Sequence, residues 1–139
     1  MTARARTFEY AVELAPDGDV TGDRGGTPLA GAEREQWTPE HLLLAGLARC
    51  SLKSLAFHAE RAGLAATSAA KASGIVTRRE SDGRFAFVEI AVDADVTLDT
   101  ALPDDDLDAL LHKAQRDCFV GASLSLTPTY NWTVNGRQR

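Results

Sequence analysis

The longest apolar stretch of the chain lies within residues 38–63, and its pattern predicts a central helix. Residues 42–48 carry no polar side chain, whereas an amphipathic surface helix would show a single apolar stripe. Thr38 and Pro39 are residue types that favour a helix start, and Gly63 is one that favours a left-handed cap at the helix end. The first half of this helix is therefore expected to be buried on most sides.

Two-residue alternation of apolar and polar positions predicts strands on both sides of this helix. Residues 6–15 show this alternation and precede a turn at residues 16–19, after which a second strand starts at Val20. Residues 65–79 and 85–98 predict a long hairpin with a tight turn. The face of its second strand that is expected to be buried comprises Val88, Ile90, Val92, Ala94, Val96 and Leu98.

A second, amphipathic helix is predicted after the hairpin, and residues 104–106 place three carboxylates at its positive end. Its apolar stripe consists of Leu107, Leu110, Leu111 and Ala114, and Cys118 continues the stripe at the far end. Residues 124–134 predict a closing strand, in which Pro128 indicates a sheet edge or a bulge and Tyr130 is expected in the core or an interface. This order predicts an α+β fold, one domain over residues 1–139 with helices packed on an antiparallel sheet.

The charge and the hydropathy of the chain indicate which kinds of partner are expected. The 139 residues carry a net charge of -5 and contain no basic run that would neutralise phosphates, so nucleic acid is not expected as a partner. No apolar run appears long enough for a signal peptide or a membrane span, so a cytoplasmic location without a membrane partner is expected. The two cysteines are then expected to be reduced at rest.

The two cysteines leave two interpretations open. Cys50 in the central helix and Cys118 near the end of the second helix are either inert thiols used as small apolar side chains, or a redox nucleophile and its resolving partner. The second interpretation needs a thiolate at Cys50, which a position in the middle of a helix does not favour. A cation must then come from another segment, and arginine suits because it is always charged and its planar group binds two partners.

Glu40 is the residue that would hold such an arginine. Ten residues at about 1.5 Å each place it roughly 15 Å from Cys50 along the helix axis, so the two side chains do not touch. Either a long arginine spans part of the gap, or a second subunit supplies one member. Alternatively, Glu40 only contributes favourable charge to the first helical turn. The three histidines show no metal-ligand spacing with either cysteine, so no metal or cofactor is expected.

Residues 38–50, Thr-Pro-Glu-His-Leu-Leu-Leu-Ala-Gly-Leu-Ala-Arg-Cys, resemble the central-helix motif of the OsmC/Ohr family. This family comprises the osmotically inducible protein C and the organic hydroperoxide resistance proteins. The family motif starts with Asn, Ser or Thr before Pro-Glu, and an apolar Leu/Ala run leads to a cysteine. The interval from Glu40 to Cys50 matches, as does a second cysteine after the second helix, in Arg-Asp-Cys-Phe-Val-Gly-Ala-Ser at residues 116–123.

The resemblance implies a cysteine-based peroxidase that reduces organic hydroperoxides in the bacterial cytoplasm, built as an intertwined homodimer with two sites at the subunit interface. It implies that Cys50 attacks the peroxide and becomes a sulfenic acid, and that Cys118 condenses with it to a disulfide. A dithiol, which is a dihydrolipoyl group in some members, then reopens the disulfide. The apolar surroundings of Cys50 favour lipid-like or aryl peroxides over hydrogen peroxide.

The resemblance also implies that Glu40 orients a catalytic arginine from the N-terminal segment. Arg24 is the arginine we assign to this role, and the alternatives are Arg4, Arg6 and Arg34. One departure concerns the second cysteine, because Cys118 is followed by Phe119, whereas many members have Cys-Pro. This departure and the open choice of arginine leave a second hypothesis, a dimeric OsmC-like domain that binds a small apolar molecule without turnover.

Overall fold

The computed structural model describes residues 6–17, 19–29 and 37–139. The chain forms two compact units, an N-terminal unit that ends at residue 40 and a C-terminal unit that contains the rest. Arg4 and Arg34, two of the alternatives for the catalytic arginine, lie outside the described residues. The single domain over the whole chain stays a prediction.

The N-terminal unit contains a short antiparallel pair, β1 (Val12–Leu14) and β2 (Val20–Gly22). The turn between the strands uses the mechanism typical of aspartate, because Asp17 Oδ1 accepts the Asp19 N–H at 3.0 Å. The strand predicted over residues 6–15 is therefore much shorter than expected. Both apolar side chains of β1, Val12 and Leu14, are exposed, and the pairing with β2 covers three residues of each strand.

Helix α1 (Pro39–Arg61) begins and ends as predicted, and Gly63 adopts the left-handed conformation at φ 75°. The prediction that its first half is buried on most sides is wrong for a single chain. The buried residues form one stripe, Leu47, Ser51, Ser54, Leu55 and Ala59. The chain's own sheet covers only that stripe, and Leu42 remains 36% exposed. The helix is also long and apolar enough to cross a membrane, contrary to expectation, but core helices of soluble proteins meet the same condition.

The sheet of the C-terminal unit has the strand order β3-β4-β5-β6. As predicted, β3 (Ala66–Arg78) and β4 (Phe85–Leu98) form a long antiparallel hairpin. The prediction of a wholly antiparallel sheet is wrong, because β5 (Thr129–Val134) runs parallel to β4. Helix α2 (Asp104–Arg116) lies between these two strands in sequence, and such a helical crossover allows the chain to enter the sheet again in the same direction.

The closing part of the sheet also differs from the sequence prediction. Strand β5 starts only after Pro128, since proline has no N–H for a ladder hydrogen bond. Asn135 and Gly136 both have positive φ, 49° and 80°, and turn the chain into β6 (Arg137–Gln138). A two-residue Asn-Gly turn of this kind matches the twist of a hairpin. The chain end thus adds an edge strand that was not predicted.

A bulge in β4 changes which side chains face the core. Ile75 lies opposite Glu89 and Val76 lies opposite Phe87, so Val88 is the extra residue. Val88 is 41% exposed, and the prediction that it shares the buried face is wrong. Phe87 packs towards the core in its place. The other five predicted positions, Ile90, Val92, Ala94, Val96 and Leu98, are buried as expected.

The buried residues of the C-terminal unit form two clusters. The larger cluster contains the predicted stripe of α2 together with Leu55, Trp132 and the end of β4. The second, which we call the cysteine cluster, consists of Leu47, Ile90, Val92 and Cys118, with Cys50, Phe87 and Tyr130 among the partly buried residues packed against it. Both cysteines therefore belong to the hydrophobic packing between α1 and the sheet.

A substitution at Gly74 tests the packing of Phe87 beside the bulge. A Cβ atom at this position would lie 2.6 Å from Cε1 of the Phe87 ring, so Gly74→Ala displaces a ring that packs against the cysteine cluster. We expect this change to lower the free energy of unfolding by about 1–3 kcal/mol, as overpacking does. Gly22→Ala in β2 is the control, because no described atom lies within 4 Å of its added Cβ. Urea unfolding measures both, and equal stability of Gly74→Ala and the parent would contradict the packing.

Candidate active site

The two cysteines meet at a short helix, α3 (Phe119–Ala122). Cys118 precedes α3 and caps it, since its Sγ accepts the Gly121 N–H at 3.4 Å. Cys50 projects from α1, and its Sγ accepts the Val120 N–H at 3.5 Å. Both are free thiols, Cys118 fully buried and Cys50 partly exposed. The structure thus brings together two cysteines that are 68 residues apart in sequence.

The surroundings of Cys50 raise its pKa above the usual value. Burial is the largest cause, and the neighbouring Cys118 raises the pKa further through a hydrogen bond and through its charge. The backbone N–H groups of Val120 and Phe119 act in the opposite direction. Within the described residues, no cation is among the groups that shift this pKa. A thiolate at neutral pH therefore requires a positive charge beyond these groups.

Ser51 and Tyr130 complete the site, and sequence reasoning missed them as functional residues. Ser51 Oγ donates to the Leu47 carbonyl at 2.9 Å and lies 3.7 Å from Cys118 Sγ and 3.1 Å from Tyr130 Oη. Burial is the largest cause that raises the pKa of Tyr130, and the neighbouring Cys118 raises it further. The only sequence signal was a serine directly after Cys50 on a helix, where such hydroxyls commonly bond the preceding turn.

Gly121 allows the close approach of these groups. A Cβ at this position would lie 3.3 Å from Tyr130 Oη and 3.4 Å from Cys118 Sγ. The departure from Cys-Pro also has a structural consequence, because the Phe119 N–H lowers the pKa of Cys50 and proline would have no N–H there. The Phe119 side chain itself is 56% exposed. The sequence after Cys118 therefore supplies backbone donors to both sulfurs.

Asp117 anchors the chain directly before Cys118. Its carboxylate accepts hydrogen bonds from Arg116 Nε at 2.8 Å and pairs with His58 Nε2 of α1 at 2.7 Å. Arg116 is the main cause, and His58 a further one, of a pKa of Asp117 lowered to about 2. The segment that carries Cys118 is thus tied to α1 on one side and held by the α3 cap on the other.

Arg24 and Glu40, the other two predicted site residues, belong to the N-terminal unit of the chain, whereas both cysteines belong to the C-terminal unit. Arg24 lies in the N-terminal unit, where Nη2 donates to the Glu9 carbonyl at 3.3 Å and the guanidinium lies 4.6 Å from the Tyr10 ring centroid. Glu40 is an exposed residue in the first turn of α1. It lies ten positions before Cys50, so the helix keeps the two side chains about 15 Å apart along the axis.

The described part of the chain also bears on metal binding. Across residues 6–17, 19–29 and 37–139, no group of three His, Cys, Asp or Glu side chains could hold a metal ion. The reactive groups that the structure places in the site are its two thiols, with backbone N–H donors directed at both sulfurs. We expect the thiol of Cys50 to react first, because it is the accessible one of the pair.

The fold and the paired thiols define a small α+β protein with two neighbouring cysteines between a central helix and a sheet. The sequence profile of the OsmC-like protein family matches residues 31–133. This match covers well over half of the chain, and the chain therefore belongs to the OsmC-like family. A comparison with curated proteins finds no match.

Solved structures of OsmC and Ohr proteins share this fold. An OsmC-like protein of unknown function from Vibrio cholerae has a TM-score of 0.74 at 15% identity, covering 91% of this chain and 99% of its own. The organic hydroperoxide resistance protein OhrB of Bacillus subtilis has a TM-score of 0.54 at 19% identity, and the match covers 94% of this chain and 98% of OhrB. An organic hydroperoxide resistance protein OsmC from Legionella pneumophila has a TM-score of 0.57 at 19% identity, and the match covers 95% of this chain and 98% of the Legionella protein. At these identities the likeness is one of fold.

Proposed function

We propose that the protein is a thiol-dependent peroxidase that reduces organic hydroperoxides, with Cys50 as the attacking cysteine and Cys118 as the resolving one. The observation that carries the proposal is the meeting of both sulfurs at α3, where the partly exposed Cys50 accepts the Val120 N–H and the buried Cys118 caps the helix. Two solved structures with this fold are named organic hydroperoxide resistance proteins, which supports the same chemistry.

The reaction balances with these two thiols and an external dithiol. The Cys50 thiolate attacks one peroxide oxygen, the O–O bond breaks, and the products are an alcohol and a sulfenic acid on Cys50. The Cys118 sulfur then attacks the Cys50 sulfur, the S–O bond breaks, and water leaves as the disulfide forms. A dithiol reductant, such as a dihydrolipoyl group, restores both thiols by exchange and becomes oxidised itself.

Activation of Cys50 requires a positive charge, since burial raises its pKa. We assign this charge to Arg24, with Glu40 as the carboxylate that orients it. Arginine suits the role because it stays charged when partly buried and can contact a sulfur and a carboxylate together. Among residues 6–17 and 19–29, its guanidinium donates to the Glu9 carbonyl and lies over the Tyr10 ring, and a guanidinium has five N–H donors in all.

The cysteine cluster favours an organic peroxide over hydrogen peroxide. Cys50 packs against Leu47 beside the partly buried Leu43 and Leu44 of α1. An alkyl or aryl group buried there gains roughly 25 cal/mol for each Å² removed from water, which hydrogen peroxide does not offer. The raised pKa of Cys50 also favours a second candidate, an OsmC-like domain that binds a small apolar molecule without turnover.

We further propose that the protein works as a homodimer in the cytoplasm. A single chain leaves large apolar side chains exposed on the hairpin of β3 and β4, with Ile75 at 53% and Phe85 at 69%, and on β1, with Leu14 at 72%. The first half of α1 is also open beside Leu42. Exposed apolar area of this extent is typical of a protein interface, and a second copy of the chain is the occupant we assign to it.

Cysteine variants test the peroxidase proposal. With cumene hydroperoxide and a dithiol, we expect the parent to consume peroxide, Cys50→Ser to be inactive, and Cys118→Ser to stall or over-oxidise, since its sulfenic acid has no partner. Intact mass after one equivalent of peroxide should show the parent lighter by two hydrogens. Equal and negligible consumption by all three proteins would contradict turnover and favour the binding hypothesis.

The pH dependence of Cys50 tests the assignment of Arg24. In a Cys118→Ser background, the alkylation rate of Cys50 follows the fraction of this thiol that is ionised, which burial keeps low at neutral pH by raising the pKa. If Arg24 supplies the cation, Arg24→Ala shifts the midpoint of the profile upward and slows alkylation at pH 7 at least about tenfold. Arg61→Ala is the matched control, because Arg61 also lies over an aromatic ring, that of Phe57, and is not an alternative for the catalytic arginine. Coincident profiles of Arg24→Ala and its parent would remove Arg24 from the role.

Sedimentation equilibrium tests the homodimer, with an expected mass twice the 14.9 kDa of the chain. Ala45 and Ala56 are both exposed on α1, but Ala45 lies in the apolar first half, and Ala56 neighbours Lys53 and Glu60. Alanine and arginine have similar helix propensities, so either substitution is tolerated in a monomer. We expect Ala45→Arg to shift the equilibrium to monomer and Ala56→Arg to leave it unchanged. A parent that sediments as a monomer would contradict the proposal.

A further inference from the structure

The hydrogen bonds of Ser51 fix the direction in which the Cys118 proton points. A serine hydroxyl has one proton to donate and two lone pairs that accept. The Leu47 carbonyl is only an acceptor, and Ser51 Oγ donates to it at 2.9 Å. With its single proton given to Leu47, Ser51 Oγ has only lone pairs to offer to its two other neighbours, Cys118 Sγ at 3.7 Å and Tyr130 Oη at 3.1 Å, so we assign the donor role to each of them. Every hydrogen-bonding position of Ser51 is thereby used.

The same bonds set the orientation of the Cys118 sulfur. Its S–H points at Ser51, and the Gly121 N–H occupies one side of the sulfur at 3.4 Å. A lone pair of Cys118 remains free for Cys50, whose sulfur accepts the neighbouring N–H of the same short helix, that of Val120, and which packs against the cysteine cluster. Ser51 and Cys118 have no exposed surface, so water does not compete for these bonds.

We propose that Ser51, held in place by Tyr130, is a positioning residue for the resolving thiol, accepting the S–H of Cys118 so that the sulfur presents a lone pair to Cys50. This inference rests on the proposed function for its catalytic meaning. In the closing step the S–S bond forms, the S–O bond of the sulfenic acid breaks, and the Cys118 proton and the departing hydroxide form water. Ser51 favours this step by orientation, because an S–H held at Ser51 leaves the free lone pair of the sulfur directed at Cys50 until the proton passes to the departing hydroxide.

Tyr130 has a supporting part in the arrangement. Its ring is stacked on Trp132 with the centroids 5.7 Å apart, and its hydroxyl lies close to Gly121. It also lines a groove of about 390 Å³ together with Gly121, Leu124 and Leu126. The side chain is therefore anchored in the sheet and donates to Ser51 from a fixed direction. Its loss is expected to have a smaller effect than the loss of Ser51.

Infrared spectroscopy tests the hydrogen bond without any peroxidase activity. In a Cys50→Ala background the only thiol is Cys118, and donation to Ser51 lowers its S–H stretching frequency relative to a free thiol. We expect Ser51→Ala to move the band to higher frequency. Ser54→Ala is the matched control, because Ser54 is a buried serine of the same helix whose Oγ has no hydrogen-bond partner in the part of the chain that the structure describes. An identical band in the presence and absence of Ser51 would overturn the proposal.

Disulfide closure tests the positioning role in the protein with both cysteines. Diamide oxidises two thiols to a disulfide and is reduced to a hydrazine, so closure is measurable even if the protein does not turn over peroxide. We expect Ser51→Ala to slow the closing phase about tenfold and Tyr130→Phe several-fold, the size of one lost hydrogen bond. The initial modification of Cys50 and the closure in Ser54→Ala should match the parent.

Peroxide itself separates this inference from the proposed function. If Cys50 is peroxidatic, excess cumene hydroperoxide should convert more of Ser51→Ala and Tyr130→Phe than of the parent to the sulfinic acid, seen as a gain of two oxygen atoms. Absence of peroxide consumption in the parent would contradict the peroxidase, and diamide closure would still decide the role of Ser51. Parent-like closure in both variants would overturn the positioning role, and Tyr130→Phe decides the matter if Ser51→Ala fails to fold.

Discussion

The site depends on the backbone N–H groups of a four-residue helix, α3, which reach two sulfurs from different parts of the chain. This arrangement uses a capping side chain at Cys118 and is closely packed at Gly121, where an added Cβ would lie 3.3 Å from Tyr130 Oη. It also requires that the chain before Cys118 be held, which Asp117 achieves by its pairing with His58 of α1. The same contacts that complete the core therefore define the distance between the two thiols.

Packing and reactivity make opposite demands at Cys50. Burial in the cysteine cluster raises its pKa, and the N–H groups of Val120 and Phe119 offset this only in part. A site of this kind keeps its thiol neutral until an external charge acts on it. In the proposed function that charge is Arg24, and the fold supplies shape, apolar contact and the second sulfur. Stability and activation are then carried by different segments of the chain.

The sequence identified the two cysteines because the helix motif brings one of them to the middle of an apolar helix and the family resemblance adds the other. It did not identify Ser51 or Tyr130 as parts of the site, although both contact the same sulfur region. A serine on a helix has no feature in the sequence that marks it as part of a site. Tyr130 is 79 positions away, on strand β5. A hydrogen-bond network between hydroxyl groups depends on which face of the helix packs against which strand of the sheet. The local sequence pattern around each residue does not contain that information.

The sequence by itself determined the helices and the hairpin, since caps, turn residues and periodicity act within a few residues of the chain. Helix α1, the stripe of α2 and most of the buried face of β4 were predictable for this reason. Tertiary structure decided the parallel entry of β5, the bulge that turns Val88 outward and Phe87 inward, and the burial of only one stripe of α1. Each of these features depends on which distant segment covers a given side chain. Burial is decided only when all the elements are packed together, because the apolar area removed from water depends on every neighbour.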